Sequence, residues 1–177
     1  MTSVVTFGEI MGRLAPPGFK RLRQGLPGTL DVTFAGAEAN VAASLTFLGA
    51  DAKFVTTLPD NDLADACIAA LQSTGVASHI IRAGYGRLGL YFLESGANQR
   101  PSRVIYDREH SAISLTDRTA YDWPSIFEQA DWFHVTGITP AISASAAEAT
   151  IDAVQAAKSA GLTVSCDLNF RAKLWRW

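Results

Sequence analysis

Apolar positions along this chain follow two rhythms, one of short continuous or alternating runs and one of helical spacing. Residues 4–7 form a short apolar run that stops at Gly8, as a buried strand does. A stretch rich in Gly, Pro, Lys and Arg follows as far as Gly28, after which 29–34 alternates and predicts a strand. From Ala35 the spacing changes. Val41, Leu45 and Leu48 recur at helical intervals, and Gly49 closes the segment as a C-terminal cap. Residues 52–57 predict a strand, 59–62 a turn and helix start, and 63–73 an alanine-rich helix ending before Gly75.

Between Arg87 and Arg108 the pattern is extended again. Leu88, Leu90 and Phe92 alternate with Gly89, Tyr91 and Leu93, the cluster 95–98 reads as a turn, and Val104, Ile105 and Tyr106 resume the strand, so the segment predicts a β-hairpin. Residues 132–136 form another apolar strand ending at Gly137. A long alanine-rich helix over 143–160 stops at Gly161, and a last strand covers 162–166. Strands alternating with helices argue an α/β fold on a parallel sheet. The material around 13–34 and 87–108 does not fit that alternation and is expected outside the main sheet, as a small β element. The chain stops at Leu174-Trp175-Arg176-Trp177, directly after a strand and its loop, where a doubly wound sheet would continue. We therefore expect residues 1–177 to be the N-terminal portion of a longer domain.

Composition narrows the classes. Hydrophobic residues make up 48% of the 177 and charged residues 18%, which excludes a disordered tail or a solvated coiled coil. The net charge of −2 gives no basic footprint for nucleic acid, and the small cluster Lys20, Arg21 and Arg23 reads as a solvated loop. Cys67 and Cys166 sit in apolar runs and make neither a disulfide framework nor a zinc site. His79, His110 and His134 are isolated, without metal-ligand spacing. No signal-peptide pattern and no membrane-length apolar run is present, so a cytoplasmic setting without membrane contact is expected.

Ligands of open α/β sheets bind at the carboxyl ends of strands. Three polar groups fall there: Gly8 with Glu9; Thr136, Gly137 and Thr139; and Asp167, Asn169 and Arg171. Ordinary turn chemistry explains the first two as well as a site does. The third places a carboxylate, an amide and a guanidinium on alternate residues of an extended segment, facing one way, which suits a polyol, a carboxylate or a phosphate. Residues 36–40 open a helix. Gly36 would allow a ligand close to the backbone, the first-turn N–H groups favour oxygen-rich ligands, and Asn40 can both donate to and accept from sugar hydroxyls. No Gly-Lys-Ser/Thr follows, so this is not a phosphate-binding loop of that type. On the hairpin, Tyr106 and Arg108 share a face, a phenol and a guanidinium that could grip an anionic sugar.

These residues also carry a resemblance. The run Ala35-Gly36-Ala37-Glu38-Ala39-Asn40-Val41-Ala42 resembles the first signature of the ribokinase-like (PfkB) sugar kinases, and Gly8-Glu9 is similar to their N-terminal sugar-binding turn. The segments 88–92, 104–108, 136–139 and 167–175 look like the 2-keto-3-deoxygluconate kinase branch, in the right order over essentially the whole chain. The resemblance implies a three-layer α/β/α sandwich with a small β-sheet lid, and transfer of the ATP γ-phosphoryl group, with Mg2+, to 2-keto-3-deoxygluconate or a similar sugar acid. It implies that Gly36, Ala37, Glu38, Ala39 and Asn40 line the sugar site. Tyr91, Tyr106, Asp107 and Arg108 would come from the lid, with Arg171 also on the substrate. Asn169, Phe170 and Arg171 would sit where sugar and nucleotide phosphates meet. A homo-oligomer through the lid is expected with it. The chain departs from the family in two places: 59–64 lacks both glycines of a Gly-x-Asp-x-x-Gly turn, and Gly-Ala-Gly-Asp, which carries the catalytic base, occurs nowhere in it. The base and most of the ATP site are expected in a C-terminal half beyond Trp177. The other readings weighed are a fructokinase or ribokinase of the same family and a non-catalytic sugar-acid-binding or oligomerisation module.

Overall fold

The computed structural model describes residues 2–172, 174 and 175. Lys173, Arg176 and Trp177, part of the closing segment quoted above, lie outside the described residues. In chain order the elements are β1 (Ser3–Phe7), β2 (Met11–Ala15), α1 (Leu22–Gly25), β3 (Asp31–Ala35), α2 (Ala37–Phe47), β4 (Asp51–Pro59), α3 (Asp62–Gln72), β5 (Ala77–Ala83), β6 (Leu90–Glu94), β7 (Arg103–Asp107), α4 (Ala112–Leu115), α5 (Trp123–Ile126), β8 (Trp132–Thr136), α6 (Ala144–Ser159) and β9 (Thr163–Asp167). A single 3-10 turn, Arg118–Ala120, precedes α5.

Five of the strands pair in parallel in the order β5-β4-β1-β8-β9. Side chains alternate between its two faces. Val5, Phe7, Val55, Phe133 and Val135 point to a core closed by α4, α5 and α6, where Tyr121, Trp123 and Phe127 stack. Ala52, Phe54 and Leu58 point the other way, onto Ala39 and Ala42 of α2 and Ala64, Cys67 and Leu71 of α3. This is the expected three-layer α/β/α arrangement. Small residues let the helices approach closely, and local chemistry sets their ends. Asn61 accepts from the Ala64 N–H at 3.0 Å, and Ser143 accepts from the Ala146 N–H at 3.1 Å.

The remaining strands form a separate four-stranded sheet, β3-β2-β6-β7, in which β2–β3 and β6–β7 are antiparallel and β2–β6 parallel. Register gives it two distinct faces. Thr33, Arg13, Tyr91 and Tyr106 stand in one row across the four strands, and Val32, Leu14, Phe92 and Ile105 in the next. Phe34 and Leu90 join the α2–α3 core and anchor the small sheet to the large one. On the same side as α2, the sheet over β8 and β9 lacks a helix among the described residues. Val41, Leu45, Trp132 and His134 line an apolar hollow of about 380 Å³ there.

The structure adds elements that the pattern did not predict. The Gly- and Pro-rich stretch 9–28, expected from about residue 13 to belong to a small β element, holds β2 there and adds the one-turn helix α1. β5 occupies a stretch assigned to nothing, and α4 and α5 fill the unassigned segment before β8.

Candidate sugar-binding cleft

The chain leaves β1 to one side of the sheet, through α2 to β4, and later returns to the other side of β1 as β8. The strand order reverses between β1 and β8, which is where open α/β sheets bind ligands. The carboxyl ends of these strands carry Gly8 and Gly137, and the small sheet rises above them. A cavity of about 260 Å³ opens between the two sheets. The first turn of α2 contributes Gly36, Ala37 and Asn40 to it, the small sheet contributes Met11, Tyr91, Val104 and Tyr106, and the strand-end loops contribute Ile138, Asn169 and Arg171.

Tyr91 and Tyr106 face one another across β6 and β7 with ring centroids 6.2 Å apart. Burial raises the Tyr91 phenol above its usual value, and the nearby charge of Arg13 opposes that shift. The Tyr91 phenol is therefore a neutral donor at physiological pH, suited to hydroxyl or carboxylate oxygens. Arg171 is exposed, and its Nη1 donates to the Phe170 carbonyl at 3.3 Å. It leaves a guanidinium at the rim of the cavity without a carboxylate partner among the described residues. No group of three or more His, Cys, Asp or Glu that could hold a metal ion lies together among the described residues.

Arg108 sits at the root of the small sheet, where β7 leads into α4. Its Nη2 donates to Glu9 Oε2, both side chains are buried, and its guanidinium carbon lies 5.8 Å from the Tyr106 ring centroid. Its Nε and Nη1 are buried and have no partner among the described residues. Arg108 lines two further hollows, one against Pro140 and Ser143 and one along Val104 and Tyr106, the latter pair also lining the cleft. A buried guanidinium with two unused donors is costly unless something accepts from it. Nε–H and Nη1 lie on opposite sides of the guanidinium, so they can take two separate acceptor oxygens.

Several sequence expectations change. Glu38 does not line the cleft. Its side chain is fully buried beneath it, where Oε1 accepts from the Thr136 and Thr139 hydroxyls at 2.7 Å each. Burial raises its carboxyl above the ordinary value, and those hydrogen bonds oppose the shift. Ala39 packs into the α2–α3 core. Asp107 pairs with Leu90, in a different row from Tyr106, and takes Arg87 at 2.5 Å; that hydrogen bond holds its carboxyl below the usual range. Phe170 is exposed and outside the cavity.

The alternation inferred for Asp167, Asn169 and Arg171 is broken, because β9 ends at Asp167 and Asn169 adopts φ 37°. The Asn169 N–H donates to Asp167 Oδ1 at 3.0 Å, a side-chain turn that redirects the chain and sends Asn169 and Arg171 to the cavity without Asp167. Gly36 lies close to protein backbone as well as to the cleft: a Cβ there would strike the Glu9 carbonyl. Met11 and Ile138 line the cleft without having been singled out, and neither was Arg13, which stands in the tyrosine row with a buried Nε unpaired among the described residues, because no register was assigned within 13–34.

A family profile described as "pfkB family carbohydrate kinase" matches residues 1–177. The chain is 40% identical over 174 residues to the 2-dehydro-3-deoxygalactonokinase of Haloferax volcanii, covering 97% of this chain and 53% of that protein. The crystal structure of 2-dehydro-3-deoxygluconokinase from Thermotoga maritima superposes with a TM-score of 0.94 at 53% identity, over 99% of this chain and 53% of that one. Similarity extends to a fructokinase of Solanum tuberosum, 30% identical over 174 residues and covering 97% of this chain and 53% of that protein. The chain thus spans about half the length of the curated relatives it matches.

Proposed function

The chain belongs to the pfkB family of carbohydrate kinases, and from that premise we propose that the complete protein phosphorylates a 2-dehydro-3-deoxy sugar acid of the gluconate or galactonate type, using ATP. The observation that carries this reading is Arg108, buried beside the cleft with two unused donors. A sugar hydroxyl can accept from either donor, but a carboxylate accepts a charge-assisted bond roughly twice as strong, which favours an acid. Tyr91, Tyr106 and Asn40 then meet the sugar hydroxyls, and Gly36 with Ala37 forms the floor. The relatives named for deoxy-keto-acid kinases support the same class.

ATP supplies the phosphoryl group. Arg171, at the rim with Asn169, fits a phosphate better than it fits the surrounding protein, because a guanidinium pairs readily with phosphate oxygens. Phosphoryl transfer relies on positioning and on charge stabilisation, and it needs a base for the hydroxyl proton. We assign that base and most of the nucleotide site to a second half of the protein. Mg2+ is proposed to arrive with the nucleotide phosphates. A cytoplasmic location belongs to the same reading; no helix among the described residues is long and apolar enough to cross a membrane. So does a homo-oligomer through the small sheet, where Val32 and Ile105, each more than half exposed, end the apolar row through Leu14 and Phe92.

The test is ADP release by the complete protein with 2-dehydro-3-deoxygluconate, 2-dehydro-3-deoxygalactonate, fructose and ribose. The sugar acids are expected to be turned over far better than the neutral sugars. Arg108→Ala and Arg171→Ala should each lose about ten-fold or more in kcat/KM for the acid, the scale of one charge-assisted hydrogen bond. Equal rates with fructose would overturn the acid assignment in favour of a fructokinase.

A further inference from the structure

We infer that Glu38 is a positioning residue that fixes the spacing between the two walls of the sugar cleft. The inference rests on the cleft proposed above, and it assigns Glu38 no contact with the sugar. One wall is the first turn of α2, which brings Gly36, Ala37 and Asn40 to the cavity; the other is the loop after β8, which brings Ile138. Glu38 reaches from the first wall to the second, across 98 residues to Thr136 and 101 to Thr139.

A single oxygen makes the connection. Glu38 Oε1 accepts from Thr136 Oγ1 and Thr139 Oγ1, at 2.7 Å each, and from the Thr136 N–H at 3.3 Å. Because the Thr136 hydroxyl spends its proton on Glu38, its lone pairs are available, and it accepts from the Ile138 N–H at 3.2 Å. The order of donation therefore runs from the backbone of a cleft-lining residue, through a threonine, to the buried carboxylate. The other end of Glu38 is fixed as well: the Thr6 hydroxyl donates to its carbonyl at 3.1 Å. Gly8, at the end of β1, leaves the space its carboxylate fills, since a Cβ there would overlap it. Glu38 thus ties the ends of the central strands to the helix that begins the cleft.

A fully buried carboxylate with one oxygen, Oε2, lacking a partner among the described residues is a poor way to fill a core. An apolar side chain would pack there at less cost, but it would leave two threonine hydroxyls without their acceptor and the 137–142 loop without its anchor. What the carboxylate supplies is a fixed separation, and cleft geometry is sensitive to displacements of an ångström.

The experiment compares Glu38→Leu, Glu38→Gln and Thr139→Val in the complete protein, the last being nearly isosteric and so expected to fold. In Glu38→Leu and Thr139→Val, amide hydrogen exchange over 137–142 should accelerate about ten-fold or more while Val5 and Phe133 in the central strands keep their protection. KM for the sugar acid should rise about ten-fold in Glu38→Leu, with KM for ATP within about two-fold of wild type. Glu38→Gln keeps an oxygen for the threonines and should restore both readouts to within about three-fold. Unchanged exchange over 137–142 in folded Thr139→Val overturns the inference. So does faster exchange with unchanged sugar KM, or a parallel rise of both KM values. Failure of the wild-type protein to turn over any sugar acid would instead remove the proposed function, and the exchange data would still decide whether Glu38 anchors the loop.

Discussion

Replacing Glu9 by alanine strands a buried cation. Only 4% of the Glu9 side chain and 7% of the Arg108 side chain meet solvent, so neither charge can turn to water when its partner is removed. Breaking such a pair from one side costs about 3–5 kcal/mol. Two details place Glu9→Ala in that range. Arg108 Nε and Nη1 already lack partners among the described residues, and the substitution adds Nη2 to them. The Tyr106 ring, 5.8 Å from the guanidinium carbon, remains as a weak partner worth about 0.5–2 kcal/mol. The expected loss is therefore about 3 kcal/mol, at the lower end of the range for a broken buried pair. Removing both charges together, as Glu9→Gln with Arg108→Met, should recover most of it, because the penalty belongs to the unpaired charge and not to the lost attraction. Urea unfolding of the complete protein, followed through the tryptophans, measures both variants, and an unchanged slope m shows that stability alone has moved. A loss below about 1 kcal/mol for Glu9→Ala would refute the reasoning, since it is the scale of a solvated surface pair. A double variant as unstable as the single one would refute it too.

Other outcomes follow from the same structure. Burial pushes the Cys67 thiol up to about 12, whereas Cys166 is exposed on β9 and its thiol is raised less far; a thiol reagent at pH 8 should label Cys166 of native residues 1–177 and leave Cys67 until the chain unfolds. Burial holds the folded Glu38 carboxyl above the ordinary glutamate value of 4.5, so the native state binds its proton more tightly than the unfolded chain. Wild-type stability measured against Glu38→Gln should accordingly fall as pH rises through and above 4.5, and a difference that grows with pH instead would contradict the burial argument. Residues 1–177 alone should release no ADP with ATP and a sugar acid, and turnover comparable to the complete protein would show that the base lies within them.

β1 and β4 were legible because burial on both faces leaves a mostly apolar run, and β8 because its residues are mostly apolar even though Trp132 and His134 face a hollow. The helices α2, α3 and α6 were legible through their spacing and the glycines that follow them. β5 was not, because it is an edge strand with one neighbour, and its Ser78, His79 and Arg82 interrupt any apolar pattern. One-turn helices such as α4 and α5 are too short to display a period. In the cleft, Gly36, Asn40, Tyr91 and Tyr106 could be picked out as residue types suited to a sugar, and all four line one cavity. The carboxylates misled for a different reason. Glu9 and Glu38 look like ligands in sequence because their partners, Arg108, Thr136 and Thr139, lie about a hundred residues away. Asp107 looks like part of the Tyr106–Arg108 face until register sets it beside Leu90.

The place of β1 in the middle of the sheet governs how the chain can be made. It leaves the ribosome before every other described strand, yet one of its neighbours, β8, comes so late that the bond from the Ser3 N–H to Asp131 spans 128 residues. At about 5–20 residues per second, that gap lasts roughly 6–25 s. Once β4 has emerged its side of β1 can pair, but throughout the gap the β8 side presents bare N–H and C=O groups, a template for another nascent chain. Slowing translation between β4 and β8 should therefore increase co-translational aggregation, whereas slowing it after β9 should not.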